Sequence, residues 1–197
     1  MPVLSPIPDP PRMETFPWYA KERALPAYRF VPGLLPHPIR DPSGHSRRAV
    51  RTQVHPFWTP DQWKKIEAYL RGVDLFNRFY FWEAHEVWET LWKSHPPRTD
   101  PARLIQGLIN LAASLLKLHM REASSSQKLW RAASEQLNPF RDQRWMGIDV
   151  ARLQSEMDDY LRPMEQGKLP LLGPGTPTIQ LADPHSSREP HLNSAPD

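Results

Sequence analysis

The sequence predicts an all-α protein, a compact multihelical bundle of about five helices with proline-rich, non-regular N- and C-terminal arms. Thirteen of the 24 prolines fall in the first sixty residues and seven from Pro163 onward, leaving four between. Proline cannot donate to a helix or sheet ladder, so regular structure belongs in the middle of the chain. That middle repeats its apolar residues at helical spacing and contains no alternating run long enough for a strand. The 197 residues therefore divide into an extended arm over 1–58 that packs on the body, a helical domain over 59–162 and a mostly disordered tail over 163–197.

In the arm, turn signals recur at Asp9-Pro10-Pro11, Val31-Pro32-Gly33 and Asp41-Pro42-Ser43-Gly44. Phe16, Trp18, Tyr19, Tyr28 and Phe30 are too many rings for a free tail, so the arm is expected to lie across the helices. The first helix has Thr59 as N-cap, Pro60 at its first position and Gln62 to complete a capping box. Trp63, Ile66, Leu70 and Val73 form its buried stripe, and Gly72 is expected to loosen its last turn. Leu75 to Tyr80 reads either as more helix or as a turn around Asn77.

The second helix is expected from Phe81 to Lys93, closed by His95-Pro96-Pro97. Tyr80, Ala84, Val87, Trp88, Leu91 and Trp92 share one face. Glu83, Glu86 and Lys93 share the other, with His85 and Glu89 at the margin. Trp82 falls among the polar residues, which predicts that it meets the arm or lines a cleft. Asp100 as N-cap and Pro101 open a third, central helix that runs to about Met120. Its polar stripe of Arg103, Gln106, Asn110, Ser114 and Lys117 reads as a solvent face. Ser124-Ser125-Ser126 caps a fourth helix, with Leu129, Trp130, Ala133 and Leu137 buried and a stop at Asn138-Pro139. Asp149 caps a fifth, which buries Val150, Leu153, Met157 and Leu161 and ends at Arg162-Pro163.

A net charge of +3, well dispersed, gives no nucleic-acid signal, and the small basic group Arg47, Arg48 and Arg51 reads as a solvated segment. The absence of cysteine removes disulfide and thiol chemistry. Met1-Pro2-Val3-Leu4-Ser5-Pro6 lacks the basic and apolar regions of a signal peptide, and no stretch has the length of a membrane span. A cytoplasmic protein is the expectation.

The second helix concentrates the ionisable groups. His85 and Glu89 lie one turn apart and could meet at one divalent metal ion, as helical bundles arrange Glu and His from facing helices. Glu86 and Glu83, three apart, could add a ligand or a general base. A third ligand would have to come from the polar residues of the third helix, from His119, or from the arm histidines His37 and His45, which as loop residues are expected to be solvated. Against this stands a structural account, in which the carboxylates are solvated or pair with Arg103 or Lys117 and the histidine bonds a neighbour.

The pattern Phe76-Asn77-x-x-x-Phe81-Trp82-Glu83-Ala84-His85-Glu86-x-x-Glu89-x-x-Trp92 resembles the signature of the domain-of-unknown-function 309 family. Gln106-Gly107-Leu108-Ile109 with Ala112-Ala113 is similar to its second block, and Gly147-Ile148-Asp149 to a third, so the resemblance covers roughly residues 60–162. It implies a small all-α fold. Members are often labelled metal-dependent hydrolases. By position it marks Glu83, His85, Glu86, Glu89, Trp92 and Gln106. Two loops depart from the pattern, with Phe79 where the family usually has Gly, and Arg121-Glu122 where it has Gly-Asn.

Two functions follow as expectations. In one, a polar cleft holds a divalent ion on His85 and Glu89, with Glu86 or Glu83 assisting and Gln106 orienting, and hydrolyses an unknown small molecule. In the other, a non-catalytic module binds a protein partner or a second copy, and the Glu/His cluster is a structural polar network.

Overall fold

A computed structural model describes residues 16–46 and 57–182. The turn at Asp9-Pro10-Pro11, the opening residues, the basic group Arg47, Arg48 and Arg51, and the tail from 183 onward lie outside the described residues. The fold is all-α. Five α-helices follow one another: α1 (Glu67–Asn77), α2 (Phe81–Trp92), α3 (Asp100–His119), α4 (Ala123–Leu137) and α5 (Val150–Leu161). The central helix α3 packs against both α2 and α4, and α1 packs on α2. No described helix is long and apolar enough to cross a membrane.

The first helix differs from expectation at its start. Pro60–Lys65 forms a 3-10 helix, and Ile66, with ψ of 88°, breaks the path before α1 begins. Thr59 makes no side-chain cap. Trp63, Ile66, Leu70 and Val73 are nevertheless buried, since the two short elements present the same side to the core. Gly72 does not loosen the helix. A Cβ there would lie 2.0 Å from Trp88 Nε1, so glycine is what lets the indole of α2 reach the α1 backbone and donate to Tyr69 O at 3.2 Å.

α1 and α3 both end in left-handed turns without glycine. Phe79 (φ 65°) and Arg121 (φ 61°) lie in the two loops where the sequence departs from the pattern it resembles. Tyr80 N–H bonds Leu75 O, and Glu122 N–H bonds Lys117 O, each closing the wide bond of a Schellman motif. Both turns thus close without glycine. Phe79 gains from burial against Phe81, whereas Arg121 is exposed. Because the left-handed region disfavours a residue with a Cβ, Arg121→Gly is expected to stabilise the fold by about 1 kcal/mol, read as a rise in melting temperature.

The remaining helices follow the sequence with small shifts. α3 takes Thr99 as its N-cap residue and α4 takes Glu122, ahead of the three serines. Asp149 caps α5 as expected, its Oδ1 accepting the Arg152 N–H at 3.0 Å. Ser114 is buried and donates to Ser126 O at 2.9 Å, so the polar stripe of α3 partly faces α4 and is not a plain solvent face.

Two features were not expected. Arg144–Trp145 and Ile148–Asp149 form a two-residue antiparallel hairpin, β1 and β2. Such short strands carry no alternating pattern to read. The segment 163–182 also has an ordered course: Ile148 pairs with Leu181, and Ile179 exchanges bonds of 2.8 Å with the Asn77 amide in both directions. A buried Asn whose partners lie 102 residues away in sequence leaves no local signal.

Candidate functional site

The extended segment 16–46 crosses α1 and α2, and the side chains of those helices hold its backbone. Asp74 of α1 is fully buried and accepts N–H bonds from Tyr19 (3.0 Å) and Ala20 (2.8 Å). Glu67 accepts from Lys21 (2.7 Å) and Glu22 (3.2 Å). Arg78 donates to Phe16 O at 3.2 Å and carries the Trp18 ring 3.6 Å from its guanidinium carbon. Arg71 donates to the carbonyls of Glu22 and Ala24, and Tyr80 Oη to Pro26 O. Burial alone would raise the Asp74 carboxyl, and the two arm N–H groups and Arg78 work against that rise.

Glu83 stands at the next crossing. On the helix wheel it belongs to the polar face, yet it is only 5 % exposed, because the arm covers it. Its Oε1 accepts the Phe30 N–H at 3.0 Å and lies 3.2 Å from His45 Nε2, while Oε2 is buried without a hydrogen-bond partner. Burial pushes the carboxyl up to about 7, against the Phe30 N–H and the Arg29 charge, which pull it down; Glu86 adds to the rise. Burial also lowers the His45 imidazole. Burial thus disfavours the charged form on both sides of the contact. His45 Nδ1 lies 2.8 Å from Ser46 Oγ, and the ring packs edge-on to Tyr28. Burial raises the Tyr80 hydroxyl and lowers the His119 imidazole, and the Arg29 charge pulls both down.

His45 therefore differs from the solvated loop histidine expected, its side chain being 7 % exposed. His37 is half-buried, its Nδ1 taking the Ile39 and Arg40 N–H groups. Trp82 meets the arm, with its ring centroid 5.2 Å from Phe30 and 5.6 Å from His37.

The other candidates are dispersed. Residues two apart on a helix point about 200° away from each other, so Glu83 and His85 serve different sides of α2. His85 Nδ1 lies 3.6 Å from Glu86 Oε1 and has no hydrogen-bond partner. Glu89 pairs with Lys93 at 3.2 Å and Lys117 with Glu122 at 2.9 Å, so neither makes the interhelical pairing considered from sequence. Gln106 bonds along its own helix, to Asn110 Oδ1 at 3.4 Å. Among the described residues no group of three or more His, Asp or Glu side chains is placed to hold a metal ion. His85 and Glu89 alone supply too few ligands for a firm divalent site.

Sequence alone undervalued His45 and missed Arg29, Asp74 and Arg78. The visible signal for the last two was a charged pair one turn apart, Asp74 and Arg78, in an otherwise apolar run.

A cleft of 340 Å³ between α4 and α5, lined by Trp130, Arg131, Asp158 and Arg162 among others, shares no residue with this cluster.

Residues 69–129 match the family model described as Domain of unknown function (DUF309), which supports the resemblance read from the second-helix motif. No curated protein and no solved structure matches the chain.

Proposed function

We propose that this chain, with its DUF309 segment over residues 69–129, is a non-catalytic interaction module whose Glu/His cluster is a structural polar network. The observation that carries this is the double use of Glu83 Oε1, which accepts one backbone N–H and lies against one imidazole, both from the segment 16–46. A carboxylate buried under a strap and engaged by it is oriented for fastening, and it offers no open side to a substrate.

The Glu83 carboxyl makes this testable through pH. With an ordinary value of 4.5 and about 7 in the folded chain, it binds its proton more tightly when folded. Its contribution is complete below about pH 4.5 and lost as pH rises through 7, by up to about 3 kcal/mol. His45, lowered from 6.5, acts oppositely: its contribution is present above 6.5 and fades as pH falls through its lowered folded value. Glu83→Gln imitates the protonated acid, so its stability should fall less between pH 6 and 8 than that of the wild type. Glu83→Ala should raise amide exchange at Phe30 about tenfold or more with the helical circular dichroism unchanged. Unchanged Phe30 exchange in Glu83→Ala would falsify the fastening role.

Metal-dependent hydrolysis is the second proposal. It is favoured by one observation, the buried His85 Nδ1 that lacks a hydrogen-bond partner. Metal content measured on wild type and His85→Ala decides it, since equal content in the two removes His85 as a ligand.

A further inference from the structure

We propose that the α1–α2 surface beneath residues 16–30 is a recognition groove for an extended peptide backbone, filled in cis by the chain's own arm, and that the same segment of a second copy can fill it in trans. This rests on the fastening role given to the Glu/His cluster and extends it to a partner.

The geometry of the contacts supports the inference. Among the described residues, no backbone–backbone hydrogen bond joins 16–46 to the helices. The arm is held by helix side chains that address its main chain: Asp74 and Glu83 take N–H groups, and Arg78 supplies a donor to a carbonyl. Recognition through main-chain groups, with a few side-chain positions setting the choice, is one recurring way in which extended peptides are bound. Here those positions are Trp18 over Arg78, Ala20, and Phe30 against Trp82, with Ala20 and Phe30 buried. The residues between Ala20 and Leu25 are exposed and make no demand on the groove beyond their backbone. The occupant that fits these requirements on present contacts is the arm sequence itself.

A tethered arm competes at high effective concentration, so exchange between wild-type chains is masked. Complementary variants unmask it. Trp18→Ala weakens the arm and leaves the groove whole, whereas Asp74→Asn weakens the groove and leaves the arm whole. Sedimentation velocity on an equimolar mixture of the two full-length variants should show a heterodimer that neither forms alone. A labelled peptide of residues 16–32 should bind the full-length Trp18→Ala chain at least tenfold more tightly than wild type. The peptide arm does not depend on the folding of Asp74→Asn, and Ala20→Glu replaces Trp18→Ala should that chain fail to fold.

A peptide that binds wild type and the arm-weakened chain equally, or neither, overturns the groove. A mixture of folded variants that sediments as its separate components overturns exchange between copies. Both variants keep Glu83, so these failures, with Phe30 exchange still dependent on Glu83, would leave the fastening role standing.

Discussion

Gly72→Ala is expected to destabilise the protein by about 3 kcal/mol, opposite in sign to what helix propensity alone would give. Alanine is the better helix former, so a helix-propensity account predicts a gain. The added Cβ would lie 2.0 Å from Trp88 Nε1 and 2.4 Å from Cε2, and Trp88 is wholly buried. The indole must move, which breaks its bond to Tyr69 O and disturbs its contact with Phe76. Leaving a buried N–H unpaired adds to the overpacking. Urea unfolding measures the effect, with Gly173→Ala as control, since nothing lies within 4 Å of a Cβ there. A stable Gly72→Ala chain would mean that α1 and α2 are not pressed together at this point.

Arg78→Ala should be as damaging, by about 3–5 kcal/mol, because it leaves Asp74 charged and buried without its cation. Both side chains are fully buried, with Arg78 Nη1 3.6 Å from Asp74 Oδ1 and 3.1 Å from Asp74 O. The variant also removes the seat of Trp18 and the donor to Phe16 O. Limited proteolysis should therefore cut within 16–30 at lower protease concentration than in wild type. Changing both partners, to Asp74→Asn with Arg78→Met, should recover much of the loss, since the cost comes chiefly from the unpaired charge. If the single and double variants are equally unstable, packing of the Arg78 stem is what matters.

The arm of this chain and its helices differ in how much could be read locally. Helix positions and buried stripes were legible because a period of about 3.6 residues shows in any short window. The Asp149 cap, the Asn138-Pro139 stop and the buried Val150, Leu153, Met157 and Leu161 needed nothing but neighbours in sequence. The same local reading placed Glu83 with Glu86 and Lys93 on a polar face. It had no access to what lay over that face.

The sequence by itself thus determined the all-α class, the order of the helices and the buried seam of Trp88 and Leu91. It also marked α2 as the place where charge and rings concentrate. Only the tertiary structure decided which of those charges act together. Glu83 meets His45 and Phe30 across separations of 38 and 53 residues, and Asp74 meets Tyr19 across 55. Glu89, which local spacing grouped with them, pairs along its own helix instead. Periodicity is a property of one element, whereas burial of a carboxylate depends on which segment comes to cover it. At Glu83 that segment is a proline-interrupted strap with no period of its own.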